Sequence, residues 1–204
     1  MDEKKALKQM SFMKKNSKSM RLAAESWKTP WKTLITTILS AQTRDETVIP
    51  IAKKLFKKYN TLNKLAGANI NSVQKIIKPI NFYKNKSKNI INCAKMIIRE
   101  YKGKVPKDID KLIQLPGVGR KIANVFITEY GDHGLAVDTH VFYISRKLGW
   151  TNAKTPNKAE EDLKKLFPRK HWSKVNSTLV RFGKTHTSKK KKDKLIEEMK
   201  KIKE

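Results

Sequence analysis

The chain holds 204 residues, 47 of them lysine or arginine against 18 aspartates and glutamates, for a formal net charge of +29. That length allows one sizeable core or two small lobes sharing one, and the charge favours a polyanionic partner. The single cysteine, Cys93, excludes an internal disulfide framework and any four-cysteine metal site, and no apolar run approaches the ~20 residues that span a bilayer. The N-terminus is charged from Asp2 to Lys5 and has no signal-peptide core. The expectation is a soluble, monomeric, intracellular protein of the cytoplasm or nucleoid, without a membrane partner. Charge by itself does not separate DNA, RNA and anionic membrane, and most of the lysines suit ordinary solvated helix faces.

Taken in chain order, almost every segment has helical period. Trp31, Leu34, Ile35, Ile38 and Leu39 predict a helix over 31–42. The next covers 47–59, with Pro50 in its first turn, where proline is tolerated. Short helices are expected over 71–78 and over 86–101, the second with Ile90, Ile91, Ala94, Ile97 and Ile98 on one side. Helices over 108–114 and 120–130 flank a Pro-Gly-Val-Gly turn, and further helices follow over 138–148, 157–167, 172–182 and 189–201. No alternating strand and no fixed-period repeat is present, so the fold class is all-α. Residues 1–25 and 184–204 are lysine-dense and apolar-poor, and the ends are expected to fray. The last segment, with Lys189 to Lys192 ahead of Ile196 and Met199, reads as a weakly amphipathic basic helix packing by one edge.

The chemistry concentrates in two stretches. Leu115, Pro116, Gly117, Val118, Gly119 and Arg120 form a tight glycine turn opening a helix, followed at once by Lys121. Two glycines around Val118 let the backbone bend and present several N–H groups at the helix mouth, where the dipole reinforces them as an anion site. Such a hairpin between two short helices holds a DNA phosphate without reading bases. Pro-Gly turns are common in plain helix connections, but Leu-Pro-Gly-Val-Gly with Arg-Lys attached is far more specific. Among 47 basic residues a random lysine is surface decoration; Lys121 stands out through its place in the first turn, against the positive end of the dipole. An amine so placed is biased towards its neutral form, which attacks an electrophilic carbon to give a Schiff base. The second stretch, Ala136, Val137, Asp138, Thr139 and His140, puts Asp138 at an N-cap position. Capping alone would account for that aspartate, yet a carboxylate held ionised by backbone N–H groups also stabilises a developing cation. His140 reads as a packed side chain, since no second histidine lies at metal-ligand spacing.

These residues resemble the signature of helix–hairpin–helix DNA glycosylases, specifically the endonuclease III-like branch. Leu39, Ser40, Ala41 and Gln42 resemble the loop that pushes a glutamine into the space left by an extruded nucleotide. Residues 80–86, with Asn81, Phe82 and Tyr83, resemble the turn that wedges into the opposite strand. The likeness runs in order from Trp31 to about Gly183. It implies two helical lobes, a six-helix bundle over 22–132 containing the hairpin motif at about 108–130, and a second lobe of 1–21 plus 133–204 with the basic C-terminal helix. An interlobe cleft would hold the catalytic pair, Lys121 and Asp138. It implies DNA contacts from Gln42, Phe82, Leu115, Gly117, Val118, Gly119 and Arg120.

The implied activity is a bifunctional DNA N-glycosylase and AP lyase. It acts on double-stranded DNA containing damaged bases, with oxidised pyrimidines as the substrates by analogy, or abasic sites. A mismatch (G·T or G·U) glycosylase and a non-catalytic DNA-binding module are the alternatives, and an RNA-binding protein lacks the aromatic strand motifs it would need. Three departures stand out: Asn81 replaces the glycine before the wedge, where asparagine tolerates left-handed geometry; Ile113 replaces a glutamate; and the C-terminal four-cysteine loop is missing, Thr187 standing at its first position. No iron–sulfur cluster or other cofactor is therefore expected.

Overall fold

The computed structural model describes residues 2–25, 27–130 and 134–203. Among the described residues it contains twelve α-helices, one 3₁₀ turn and no strand. The chain divides into two compact units, one of Arg21–Asp132 and one of Met1–Met20 with His133–Glu204.

In the unit Arg21–Asp132, α2 (Pro30–Ser40) is the most deeply embedded helix, with Leu34, Ile35, Ile38 and Leu39 among its buried residues. Against it pack α3 (Asp45–Lys58), α6 (Tyr83–Tyr101) and α8 (Arg120–Glu129), while the short α4 (Leu62–Ala66) and α5 (Ile70–Ile77) rest on α6, and α7 (Ile109–Leu112) lies against α8. Val48, Leu55, Leu65, Val73, Ile77, Ile90, Ala94, Ile97, Leu112, Ala123 and Phe126 close one continuous core. Burying each large aliphatic side chain there contributes roughly 1.5–3 kcal/mol. Trp27 and Trp31 meet Phe56 edge-on, at centroid distances of 5.1 and 5.3 Å.

The second unit packs α1 (Glu3–Lys15), α9 (Thr139–Leu148), α10 (Pro156–Leu166), α11 (Trp172–Thr185) and α12 (Lys189–Lys200). Its interior includes Met13, Val141, Ile144, Leu163, Phe167, Leu179, Phe182, Ile196 and Met199. Here the N-terminal expectation fails. Rather than fraying, Glu3–Lys15 is a helix capped by the Asp2 side chain, which accepts from the Lys5 N–H, and it buries Ala6, Gln9, Met10 and Met13. Their spacing of three and four is a core-facing stripe that the surrounding lysines disguise. The buried Gln9 donates to the Met199 carbonyl at 3.0 Å and accepts from the Trp150 indole at 2.7 Å, tying the two chain ends together.

Several helix bounds also differ: α2 ends at Ser40, α6 begins at Tyr83 and α11 runs to Thr185. α3 begins two residues earlier than expected, at Asp45, because Asp45 and Glu46 both favour a helix N-terminus; Pro50 thus lies inside the helix rather than in its first turn. The five-residue α4, capped by Thr61, is too short to show a period.

Candidate active site

The glycine hairpin joins α7 to α8. Leu115 and Val118 are buried and anchor it in the core, while Gly119 and Arg120 are exposed. The Val118 N–H bonds the Leu115 carbonyl at 3.0 Å, closing the turn. Gly117 has φ +80°, and a Cβ there would lie 2.9 Å from the Asn89 Cβ on α6, so both backbone and neighbour demand glycine. Gly119 differs: its backbone is extended and a Cβ would meet nothing within 4 Å. As the N-cap of α8 it has no side chain to cover the first amides of that helix, and those N–H groups are the ones a helix leaves unpaired internally. A close, exposed, positive backbone surface results, suited to an oxyanion. Lys121 follows in the first turn of α8 with its side chain exposed.

Asp138 belongs to the other unit. It is half-buried and caps α9, its Oδ1 accepting from the Val141 N–H at 2.8 Å. The segment leading to it is buried through Leu135, Ala136 and Val137, and the Asn176 side chain fixes it by donating to the Ala136 carbonyl at 2.9 Å. His140, two residues further on in α9, packs against α11. A Cβ at Gly183 would collide with its Nδ1, which makes glycine obligatory there.

Gln42 and Phe82 are neighbours in the fold of the unit Arg21–Asp132. Both are exposed, both are non-glycine residues in the left-handed region (φ +55° and +59°), and Phe82 is a large apolar side chain 62% open to solvent. The Asn81 side chain joins them by donating to the Gln42 carbonyl at 2.5 Å. The left-handed geometry expected of Asn81 falls on Phe82 instead, and Asn81 serves as the cross-link. Sequence reasoning missed one residue, Lys86. It is buried, and its Nζ donates to the carbonyls of Leu39 and Ala41 at 2.7 and 2.5 Å and to Thr43 Oγ1 at 3.3 Å. The signal was present: the apolar stripe Ile90, Ala94, Ile97 extended back one turn lands on Lys86.

A family model for the HhH-GPD superfamily of base excision DNA repair proteins matches residues 35–169. The chain belongs to that superfamily. It is 41% identical over 155 residues to endonuclease III of Thermotoga maritima, covering 76% of this chain and 73% of that one. Against endonuclease III of Bacillus subtilis it is 39% identical over 161 residues, covering 77% and 73%. A solved endonuclease III–DNA trapped covalent intermediate superposes with TM-score 0.83 at 32% identity, covering 92% of this chain and 89% of that one. Within the superfamily the chain is thus endonuclease III-like.

Membership raises the iron–sulfur cluster of the endonuclease III branch, and the donors present do not fit one. Such a cluster takes four thiolates, and Cys93 is the chain's one cysteine. It lies inside α6 in the core, with its thiol pushed up to about 12 by burial. Among the described residues no group of three or more histidines, cysteines, aspartates and glutamates is placed to hold a metal. Nor, among them, is any helix long and apolar enough to cross a membrane.

Proposed function

We propose that this base excision repair glycosylase/AP lyase uses Lys121 as its nucleophile and Asp138 as the carboxylate that stabilises positive charge on the sugar. The observation that carries the reading is an exposed lysine in the first turn of α8, directly behind an anchored hairpin with an open Gly119. The trapped covalent intermediate between a similar endonuclease III and DNA supports a covalent route.

The target nucleotide leaves the helical stack first, because C1′ cannot be attacked while stacked. Gln42 fills the vacated space and Phe82 wedges the partner strand, an apolar insertion that holds the kink. Leu115 and Val118 seat the hairpin while Gly117, Gly119 and Arg120 meet the phosphate backbone. The neutral amine of Lys121 forms a bond to C1′ as the C1′–N bond breaks, and the base departs with that electron pair and gains a proton. Asp138 stabilises the oxocarbenium-like charge in between. The sugar ring opens to the protonated Schiff base, C2′ loses a proton, and the 3′-phosphate leaves, nicking the strand.

The partner is double-stranded DNA carrying damaged bases or abasic sites, with oxidised pyrimidines as the substrate class, and the chain acts as a monomer. It works without an iron–sulfur cluster, since its donors fit none.

The test is a panel of duplexes bearing single lesions, with base release and strand nicking scored separately. Release and nicking at an oxidised pyrimidine such as thymine glycol is the expected result. Release confined to G·T or G·U pairs would move the chain to a mismatch enzyme, and neither release nor nicking on any duplex would leave a DNA-binding module. Stoichiometric iron in the purified protein would overturn the cluster-free reading.

A further inference from the structure

A buried ammonium that meets neutral oxygens only is costly, and Lys86 is one: its three acceptors are two main-chain carbonyls and a hydroxyl. Where they lie explains the arrangement. Leu39 and Ala41 belong to the C-terminal end of α2, where carbonyls lack intrahelical partners and the dipole is negative. Lys86, reaching across from the first turn of α6, supplies that missing cap from another element. Thr43 accepts from Lys86 and also from the Asn81 N–H, at 3.2 Å, while the Asn81 side chain holds the Gln42 carbonyl. The loop carrying Gln42 and the turn carrying Phe82 are therefore joined by five hydrogen bonds, three of them from one ammonium. Two residues in a conformation that side-chain-bearing residues avoid stand at the edges of this joint. Conformations of that kind persist only where their surroundings over-determine them.

We propose that Lys86 is a positioning residue that locks Gln42 and Phe82 into one preformed wedge, so that the duplex is opened by a single rigid unit rather than by two independent loops. This rests on the assignment of Gln42 and Phe82 as the inserted residues. Because burial lowers the Lys86 pKa to about 8, the lysine is held at a cost that an anchoring role explains.

Lys86→Met keeps the length and apolar stem of the side chain and removes its donors. On a duplex with an intact lesion it lowers single-turnover base release by about tenfold or more, the scale expected when a strained residue loses its frame. On a duplex with a preformed abasic site, where no base has to be extruded, nicking falls by less than about threefold, since unstacking cost is smallest there. Within a Gln42→Ala/Phe82→Ala background the same substitution has little further effect, because residues acting through one another are non-additive. Equal losses on both substrates, or an undiminished loss in the double-alanine background, would overturn the proposal. If Lys86→Met does not fold, Asn81→Ala and Thr43→Val release the same joint from its exposed side and are judged by the same two comparisons. Wild-type protein inactive on every duplex would instead count against the glycosylase reading, so the two failures are distinguishable.

Discussion

At the scale of single residues the proposed chemistry rests on one amine and one carboxylate with different local duties. Lys121→Ala should abolish the covalent complex trapped by borohydride on damaged duplex, and trapping that survives undiminished would remove Lys121 from the mechanism. Asp138 both caps α9 and is proposed to act on the sugar, and these roles separate cleanly. Asparagine caps about as well as aspartate, so Asp138→Asn should melt near the wild-type temperature and bind DNA normally. Base release should nevertheless fall by roughly 100-fold or more, the scale of a lost electrostatic stabiliser. Near-normal turnover would reduce Asp138 to its capping role. Cys93 offers a check on the core: with its thiol raised to about 12, the folded protein holds almost no thiolate at pH 8. It should resist a maleimide there and react only once unfolded; rapid labelling of native protein would contradict that burial.

At the scale of elements, the hairpin's two glycines do different work. Gly117 is required by its left-handed backbone and by Asn89, so Gly117→Ala should destabilise the whole unit. Gly119 has extended backbone and open space. Gly119→Asp should therefore leave the fold intact, even favouring α8, because aspartate is a preferred N-cap. Its carboxylate would occupy the position proposed for a phosphate. Damaged and undamaged duplex should lose affinity alike, and the salt-dependence slope should become shallower by about one phosphate contact. Loss confined to lesion-bearing DNA, measured by titration across salt concentrations, would mean that the hairpin reads the base.

At the scale of the whole molecule, the basic C-terminal helix is part of the second unit's core. Ile196 and Met199 are fully buried, Gln9 bonds the Met199 carbonyl, and the Tyr143 hydroxyl donates to Asp193 at 2.5 Å. Lys189, Lys190 and Lys191 remain on the exposed side. Truncation after Thr187 should expose the Ile196 and Met199 sites. After the ordering entropy of the helix is set against the lost burial, a net loss of about 2 kcal/mol would lower the melting temperature by roughly 5 °C. Nonspecific DNA affinity should drop with it, and unchanged melting and affinity would leave α12 without a role.

The helical period of most elements, the hairpin and the Asp138 cap were legible in the sequence because each depends on residues within a few positions of one another. Periodicity at three and four, a Pro-Gly-Val-Gly turn and an aspartate ahead of a helix are local signals that packing only had to honour. The N-terminal helix escaped notice since its stripe of Ala6, Met10 and Met13 acquires meaning only when α11 and α12 cover it. Asn81 and Lys86 show the same limit more sharply. Asparagine was legible as a residue tolerant of left-handed backbone, yet the fold gives that geometry to Phe82 and uses Asn81 to reach Gln42. The sequence by itself determined most of the helical segments and the two short motifs to which the proposed chemistry is assigned. Only the tertiary structure decided that a lysine in the first turn of α6 would cap a helix some 45 residues earlier, because the period that turns Lys86 towards the core does not say which distant carbonyls its ammonium meets.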